Sequence, residues 1–548
     1  MPLSLDVWPP EIIARHYADG WWDAGTMSER CRQNARERGA KIAYIDDGPN
    51  PVTYASMEEG VSTIAKALYS LGLERGEGVA VMLPDSAALH AAWLGAERSG
   101  HLVVAVPHRS GFRDIERLVV EADCKVFLSL GTLRDGSPAA EIADRLRQES
   151  GWEGIHLTLS QGADEWSVAL DGKPVLAAEE PPVERGLTAD ELFMVIFTSG
   201  TTGRPKGVMQ TMNRQKWMNS KCTHLHGDDI FLVAVPATGG FGLWFSHFTP
   251  PLKGATAIVR SEFSVEQTLE DIEKHQVTVL VVVPTQLKML LAHPDFDRTD
   301  MSSVRILEIG GEPLPYRIAE EFERKTGAIS TQFYGSSESF SIAGPTRAEH
   351  PKHLRYGTTG PIIPESEFTL LDEEGNSIPI PGRGRVASRG PGRSPGYFND
   401  PAANEALVWR DGYVLLGDIV EVDAEGFVKV VGRASDFIIR GGLNISGPEV
   451  EDAVMLHPRV QNAAAVPMPD PIMGEKVCVY VVSADGEDVR LSEVQEVLAE
   501  HGYTKSKWPE RIITVPELPI APGGKVAKAE LKADIISRLE AESKEGAI

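Results

Sequence analysis

Between Phe197 and Gly207 the chain runs Phe-Thr-Ser-Gly-Thr-Thr-Gly-Arg-Pro-Lys-Gly. Glycines there let a backbone pass close to a ligand, and the hydroxyls of Thr198, Ser199, Thr201 and Thr202 with the ammonium of Lys206 are donors for phosphate oxygens. The segment follows an apolar β-branched run and precedes a helical pattern. Its lysine spacing is not that of the GxxxxGK[ST] phosphate loop. The other chemistry-bearing clusters are weaker. His224-Leu225-His226 precedes a strand pattern and reads as a solvated polar turn rather than a metal site. Cys31, Cys124, Cys222 and Cys478 are too scattered for a CxxC motif or a disulfide framework.

These residues need a scaffold, and the sequence has the rhythm of an α/β protein. Strand patterns at Gly78–Leu83, His101–Val106 and Lys125–Leu128 alternate with helical patterns at Ser86–Arg98 and Phe112–Ala122. A second series joins strands at Phe193–Phe197, Phe231–Val235, Val277–Val283 and Val304–Ile309 with helices from about Asn213, at Ser264–Lys274 and at Thr285–Leu291. Such alternation predicts parallel sheets with helical crossovers. From about Gly357 glycine, proline and short alternating strands predict antiparallel structure, and from about Ser435 a smaller α+β pattern begins. The expected fold is therefore α/β: two N-terminal subdomains with parallel-rich sheets, a small β-barrel-like subdomain, and a small mobile α+β C-terminal domain. The expected division is 1–432 and 433–548.

Composition narrows the function. With 548 residues, 42% hydrophobic and 24% charged, the chain is a globular protein of about three to four folding units. A formal charge of −25 is adverse to electrostatic nucleic-acid binding. It does not exclude a polyanionic ligand, which a few local cations and N–H groups can hold. The apolar run Val279–Val283 is too short for a membrane span. Neither a signal peptide nor a peroxisomal or retention signal is evident, so a cytoplasmic location without membrane contact is expected.

The 197–207 segment resembles the phosphate-loop signature of the adenylate-forming (AMP-binding) enzymes, in the branch of acyl-CoA synthetases and aryl-acid AMP ligases. Further segments resemble that family's motifs in its order: Thr53-Tyr54, Gly310-Gly311-Glu312-Pro313-Leu314, Tyr334-Gly335-Ser336-Ser337-Glu338, Gly417-Asp418, Gly432-Arg433, Ile439 to Ile445, and Pro522-Gly523-Gly524-Lys525. The resemblance implies an acid–CoA ligase that uses ATP, Mg2+ and CoA. Catalysis would rest on Lys525, Thr198 and Glu338, with Glu338 holding the metal. The nucleotide would lie among Thr198, Ser199, Gly200, Thr201, Thr202, Gly203, Lys206, Gly311, Glu312, Pro313, Tyr334, Gly335, Ser336, Ser337, Asp418, Arg433 and Lys525. Ser435 would be the hinge, and Gly441, Gly442 and Leu443 would line the pantetheine channel. Alternatives are a free-standing enzyme loading a carrier protein, a member performing one half-reaction, and a nucleotide-binding protein without turnover. A homodimer stays open.

Three departures from the family pattern matter. Where Pro-x-x-His-x-x-Gly is expected, the chain has Pro236-Ala237-Thr238-Gly239-Gly240-Phe241-Gly242, without the histidine. Gly239, Gly240, Phe241, Gly310 and Gly335 are the expected acyl pocket. Phe241, Trp244, Phe245 and Phe248 suggest aromatic walls that suit a bulky apolar acid, with ordinary core packing the favoured reading for Trp244 to Phe248. Ser435 stands where Asp or Lys is usual, and Leu416 stands where a threonine hydroxyl is usual. The basic cluster Arg383, Arg385, Arg389 and Arg393 is expected to be surface or salt-bridge structure, with CoA phosphates as the alternative.

Overall fold

The computed structural model describes residues 5–133, 136–162, 165–198, 206–311, 314–433, 437–440, 443–471, 473–501, 503, 505, 508–521 and 525–545. Among these residues the chain forms four large sheets. The first has eight strands, in the spatial order Lys206–Gln210, Met194–Thr198, Leu102–Ala105, Gly78–Met82, Cys124–Ser129, Ile155–Gln161, Trp166–Leu170 and Lys173–Pro174. Its centre is parallel and its edges are antiparallel. The second has seven strands, in the order Ile329–Phe333, Ile306–Gly310, Val279–Val282, Ile230–Val233, Thr256–Val259, Ile42–Ile45 and Val52–Thr53. It is parallel except at that last pair.

An antiparallel five-stranded sheet follows, from Glu367–Leu371 to Val428–Arg433. The last sheet lies between Phe437 and Thr514 and packs against the helices Gly447–Val454, Leu491–Glu500 and Lys528–Glu545. The parallel-rich sheets, the separate antiparallel sheet and the small α+β unit are those expected from the sequence.

Local chemistry explains where elements begin. Ser86 caps the helix Ala87–Arg98 by accepting the Leu89 N–H at 3.3 Å, and Ser264 caps Val265–His275 by accepting from Gln267 at 3.2 Å. Thr53 caps Tyr54–Ser70, and the Tyr54 hydroxyl donates to the Ala255 carbonyl at 2.6 Å. The Thr53-Tyr54 motif therefore braces the edge of the second sheet.

The parallel strands are buried on both faces, as continuous Val/Ile/Leu runs require. One core runs between the two parallel sheets and on into the antiparallel one. Two more cover the outer faces of the parallel sheets. The remaining two consist only of residues from 438 to 539. All four cysteines are free and buried. No helix among the described residues is long and apolar enough to cross a membrane.

The helix Ala87–Arg98 is wholly buried, Glu97 included. The Glu97 carboxylate accepts the Ser28 N–H at 2.9 Å, yet burial still pushes its pKa up to about 7. A raised carboxyl pKa means the folded chain holds a proton that the unfolded chain has released. The resulting stability is full below about pH 4.5 and is lost as pH rises through about 7. Glu97→Gln, neutral throughout, should gain on wild type by about 2 °C or more in Tm between pH 5 and pH 8. Parallel thermal melts check this, and a pH-independent difference contradicts it.

Candidate active site

The strand Met194–Thr198 returns as Lys206–Gln210, with Thr198 directly opposite Lys206. Ser199, Gly200, Thr201, Thr202 and Gly203 lie outside the described residues, but both ends of their segment belong to one ladder. Lys206 Nζ stands 4.9 Å over the ring of Tyr397. The Tyr397 hydroxyl donates to Glu338 Oε1 at 2.8 Å. One aromatic side chain thus bridges the lysine and the glutamate. Sequence reasoning missed Tyr397. Its segment is zipped to the edge strand by Met209 N–H to Gly396 (3.0 Å) and Phe398 N–H to Gly207 (2.7 Å), pairings no local pattern announces.

A second group gathers at the end of the other parallel sheet. Gly310 pairs with Phe333 in the last rung of the ladder, so Gly311 and Tyr334 emerge side by side. Tyr334 is buried and its hydroxyl donates to Asp418 Oδ2 at 3.0 Å. Asp418 is in register with Arg433 on the neighbouring strand of the antiparallel sheet. Gly335-Ser336 pairs with Phe340-Ser341, and Ser336 Oγ accepts the Glu338 and Ser339 N–H groups at 3.2 Å each. Ser337 and Glu338 therefore sit on a tight turn.

Lys525 reaches this group from the segment that precedes the helix Lys528–Glu545. The Ala521 N–H donates to the Lys525 carbonyl at 2.7 Å, and Ile520 bridges Val526. A methyl placed on Gly311 would come within 3.3 Å of Lys525 Cε and 3.7 Å of Nζ. Gly311 also has φ +88°, a conformation that favours glycine. Glu312, Pro313, Ser435, Gly441 and Gly442 lie outside the described residues. Leu443 opens the strand Leu443–Ser446.

The residues expected to form the acyl pocket differ in exposure. Phe241 is half-buried, edge-on to Phe245 at 5.1 Å and tilted to Phe333 at 6.4 Å. A methyl on Gly310 would lie 3.3 Å from the Phe241 ring, and one on Gly240 would lie 3.0 Å from Ser337 Oγ. Gly239 and Gly335 are exposed. Trp244, Phe245 and Phe248 are core residues, on a π-helical turn from Leu243 to Phe248. Only Phe241 of the four expected aromatics keeps substantial exposed surface, because the turn points the others inward. The loop is tethered by the Ala237 N–H, which donates to both Asp85 carboxylate oxygens at 3.1 and 3.2 Å.

Other expectations resolve into structure. His224 lies on the turn before the strand Ile230–Val233 and is partly buried, its Nε2 meeting the fully buried Glu308 at 2.7 Å, while His226 is exposed. Arg389 pairs with Glu367, Arg385 donates to the Leu416 carbonyl at 2.9 Å, and Arg393 donates to the Gly412 carbonyl at 2.7 Å. Leu416 is a core side chain. Among the described residues no group of three His, Cys, Asp or Glu could hold a metal alone. The donor set still fits Mg2+, which takes one or two carboxylates and fills its shell with water and phosphate oxygens. Glu338 is half-buried, with Oε1 held by Tyr397.

The model of the AMP-binding enzyme family matches residues 31–398, and that of the AMP-binding enzyme C-terminal domain matches residues 449–525. The chain belongs to this family and is an adenylate-forming ligase. It is similar to the medium-chain fatty-acid–CoA ligase of Escherichia coli (strain K12), at 29% identity over 96% of this chain and 93% of that protein. It is also similar to the 2-hydroxy-7-methoxy-5-methyl-1-naphthoate–CoA ligase of Streptomyces carzinostaticus, at 28% identity over 97% of each. Among solved structures, the amide bond synthetase McbA from Marinactinospora thermotolerans superposes with a TM-score of 0.79, at 26% identity, over 93% of this chain and 99% of that one.

Tyr397→Phe removes the hydroxyl that fixes Glu338 while keeping the ring under Lys206. ATP–pyrophosphate exchange should fall about tenfold or more, with Tm nearly unchanged. Exchange at the wild-type rate would show that Glu338 does not depend on this bond.

Proposed function

We propose that the chain is a two-step acid–thiol ligase that adenylates a bulky, apolar carboxylic acid and passes the acyl group to CoA. The observation that carries this reading is the approach of Lys525 to Gly311, beside the Tyr334–Asp418 pair. In the first step a carboxylate oxygen attacks the α-phosphorus of ATP, an acyl-adenylate forms and pyrophosphate leaves. Charge builds on phosphate oxygens, so the catalytic requirement is positioned positive charge and donors. Lys525, Lys206 and Thr198 supply these, and Asp418 and Arg433 hold the ribose. Glu338 would hold Mg2+, whose chemistry is to neutralise phosphate charge. In the second step the CoA thiolate attacks the acyl carbon and AMP leaves. Domain 433–548 turns about Ser435 for this step, withdraws Lys525 and brings Gly441, Gly442 and Leu443 to the site.

The acid follows from the wall. Gly240 and Gly310 keep the loop and the strand end free of side chains beside Phe241, Phe241 offers an apolar face, and the histidine usual at the loop is missing. A substrate panel with acetate or propionate as the best substrates would contradict this. A second reading, loading of a separate carrier protein, is favoured by the 28% identity with the salicyl-AMP ligase / salicyl-S-ArCP synthetase of Mycobacterium tuberculosis (strain ATCC 25618 / H37Rv). Mass spectrometry of products formed with CoA or with carrier protein separates the two.

Lys525→Ala should depress pyrophosphate exchange by about 10²-fold or more. It should still convert preformed acyl-adenylate to thioester at nearly the wild-type rate. Equal loss of both half-reactions would overturn the role given to Lys525.

A further inference from the structure

Arg214, on the helix Met212–Lys221, is completely buried. Burying a guanidinium is costly unless its donors are satisfied. The partners here are neutral oxygens. Nε donates to the Gly392 carbonyl at 3.0 Å, Nη2 to the Ser337 carbonyl at 2.9 Å, and Nη1 to Gln210 Oε1. Its Cζ stands 5.4 Å from the centre of the Phe340 ring. Burial pulls its pKa down to about 9, opposed by the nearby Glu338 charge.

The two carbonyls are not arbitrary. Ser337 immediately precedes Glu338. Gly392 lies two residues before Ser394, whose N–H donates to the Glu338 carbonyl at 2.6 Å. Phe340, at the other end of the turn, has φ +56°, a strained value for an aromatic residue that must be held by its surroundings. A methyl on Gly392 would lie 2.7 Å from the Trp217 ring and 3.2 Å from Phe340 Cβ, so that carbonyl has one place to go. The neighbouring Pro391 carbonyl is itself fixed by Trp22 Nε1 at 3.2 Å.

We propose that Arg214 is a positioning residue for the magnesium–nucleotide end of the site, its planar fork holding the Ser337 and Gly392 carbonyls at a fixed separation and thereby fixing the turn that presents Glu338. This rests on the role given to Glu338 above. Arg214 touches no substrate and acts through the backbone. A lysine would keep the charge but, as a point donor on a flexible stem, would not span both carbonyls in one plane.

The test is calorimetric ATP binding to the full chain across a Mg2+ series, with a thermal melt of each variant. Arg214→Lys and Arg214→Met should both raise the Mg2+ concentration for half-maximal ATP binding, by about 10–100-fold. If Arg214→Met does not fold, Arg214→Lys decides alone. A lysine variant with the wild-type Mg2+ midpoint would overturn the proposal. So would a fall in Tm with the midpoint unmoved, which is the mark of a merely structural arginine. Wild-type binding that ignores Mg2+ altogether would instead remove the Glu338 reading, and the proposal with it.

Discussion

The hydrogen bond from Tyr334 to Asp418 is the tie on which the site depends. Tyr334 continues the last strand of the second parallel sheet, and Asp418 lies within the antiparallel sheet. These elements are far apart in sequence and share no ladder. The bond is buried, so breaking it would strand a hydroxyl and a carboxylate away from water. Gly311 and Glu338 follow the ends of two neighbouring strands of the second parallel sheet, Ile306–Gly310 and Ile329–Phe333. The approach of Lys525 is measured against Gly311.

Charge is arranged locally against the trend of the whole chain. A net charge of −25 repels polyanions at a distance and favours solubility. Within the site the balance is reversed by Lys206, Lys525 and the buried Arg214. Two of these sit on aromatic rings, Lys206 on Tyr397 and Arg214 on Phe340, and that stacking helps hold a cation in place with little exposure to water.

Most of the fold was legible in the sequence. Parallel strands buried on both faces must be continuous β-branched runs, and Val279–Val282 or Val79 to Val81 carry that signal without help from neighbours. The short strand Ile42–Ile45 escaped notice because its parallel partner, Thr256–Val259, lies far along the chain. The π-helical turn at Leu243–Phe248 was unreadable as well: its aromatics look the same whether they wall a pocket or fill a core. Of the expected site residues, the structure brings Tyr334, Asp418, Gly311, Lys525, Lys206 and Glu338 into two adjoining groups. Tyr397 and Arg214 were hidden because their role lies in what they touch, across 59 and 123 positions of sequence. The contact of His224 with Glu308 was hidden for the same reason, since nothing near it in sequence points to that partner.

The two cores confined to residues 438–539 have a consequence for the energetics of the whole molecule. No apolar cluster among the described residues bridges this unit and the rest. Their seam includes polar contacts, such as Lys288 to Asn462 at 3.2 Å and Arg317 to the Met455 carbonyl at 3.3 Å. Apolar burial makes an orientation stiff, whereas hydrogen bonds of about 1 kcal/mol are traded for water at little net cost. The seam between the two units is then held by contacts that cost little to exchange for others, unlike the interiors on either side of it.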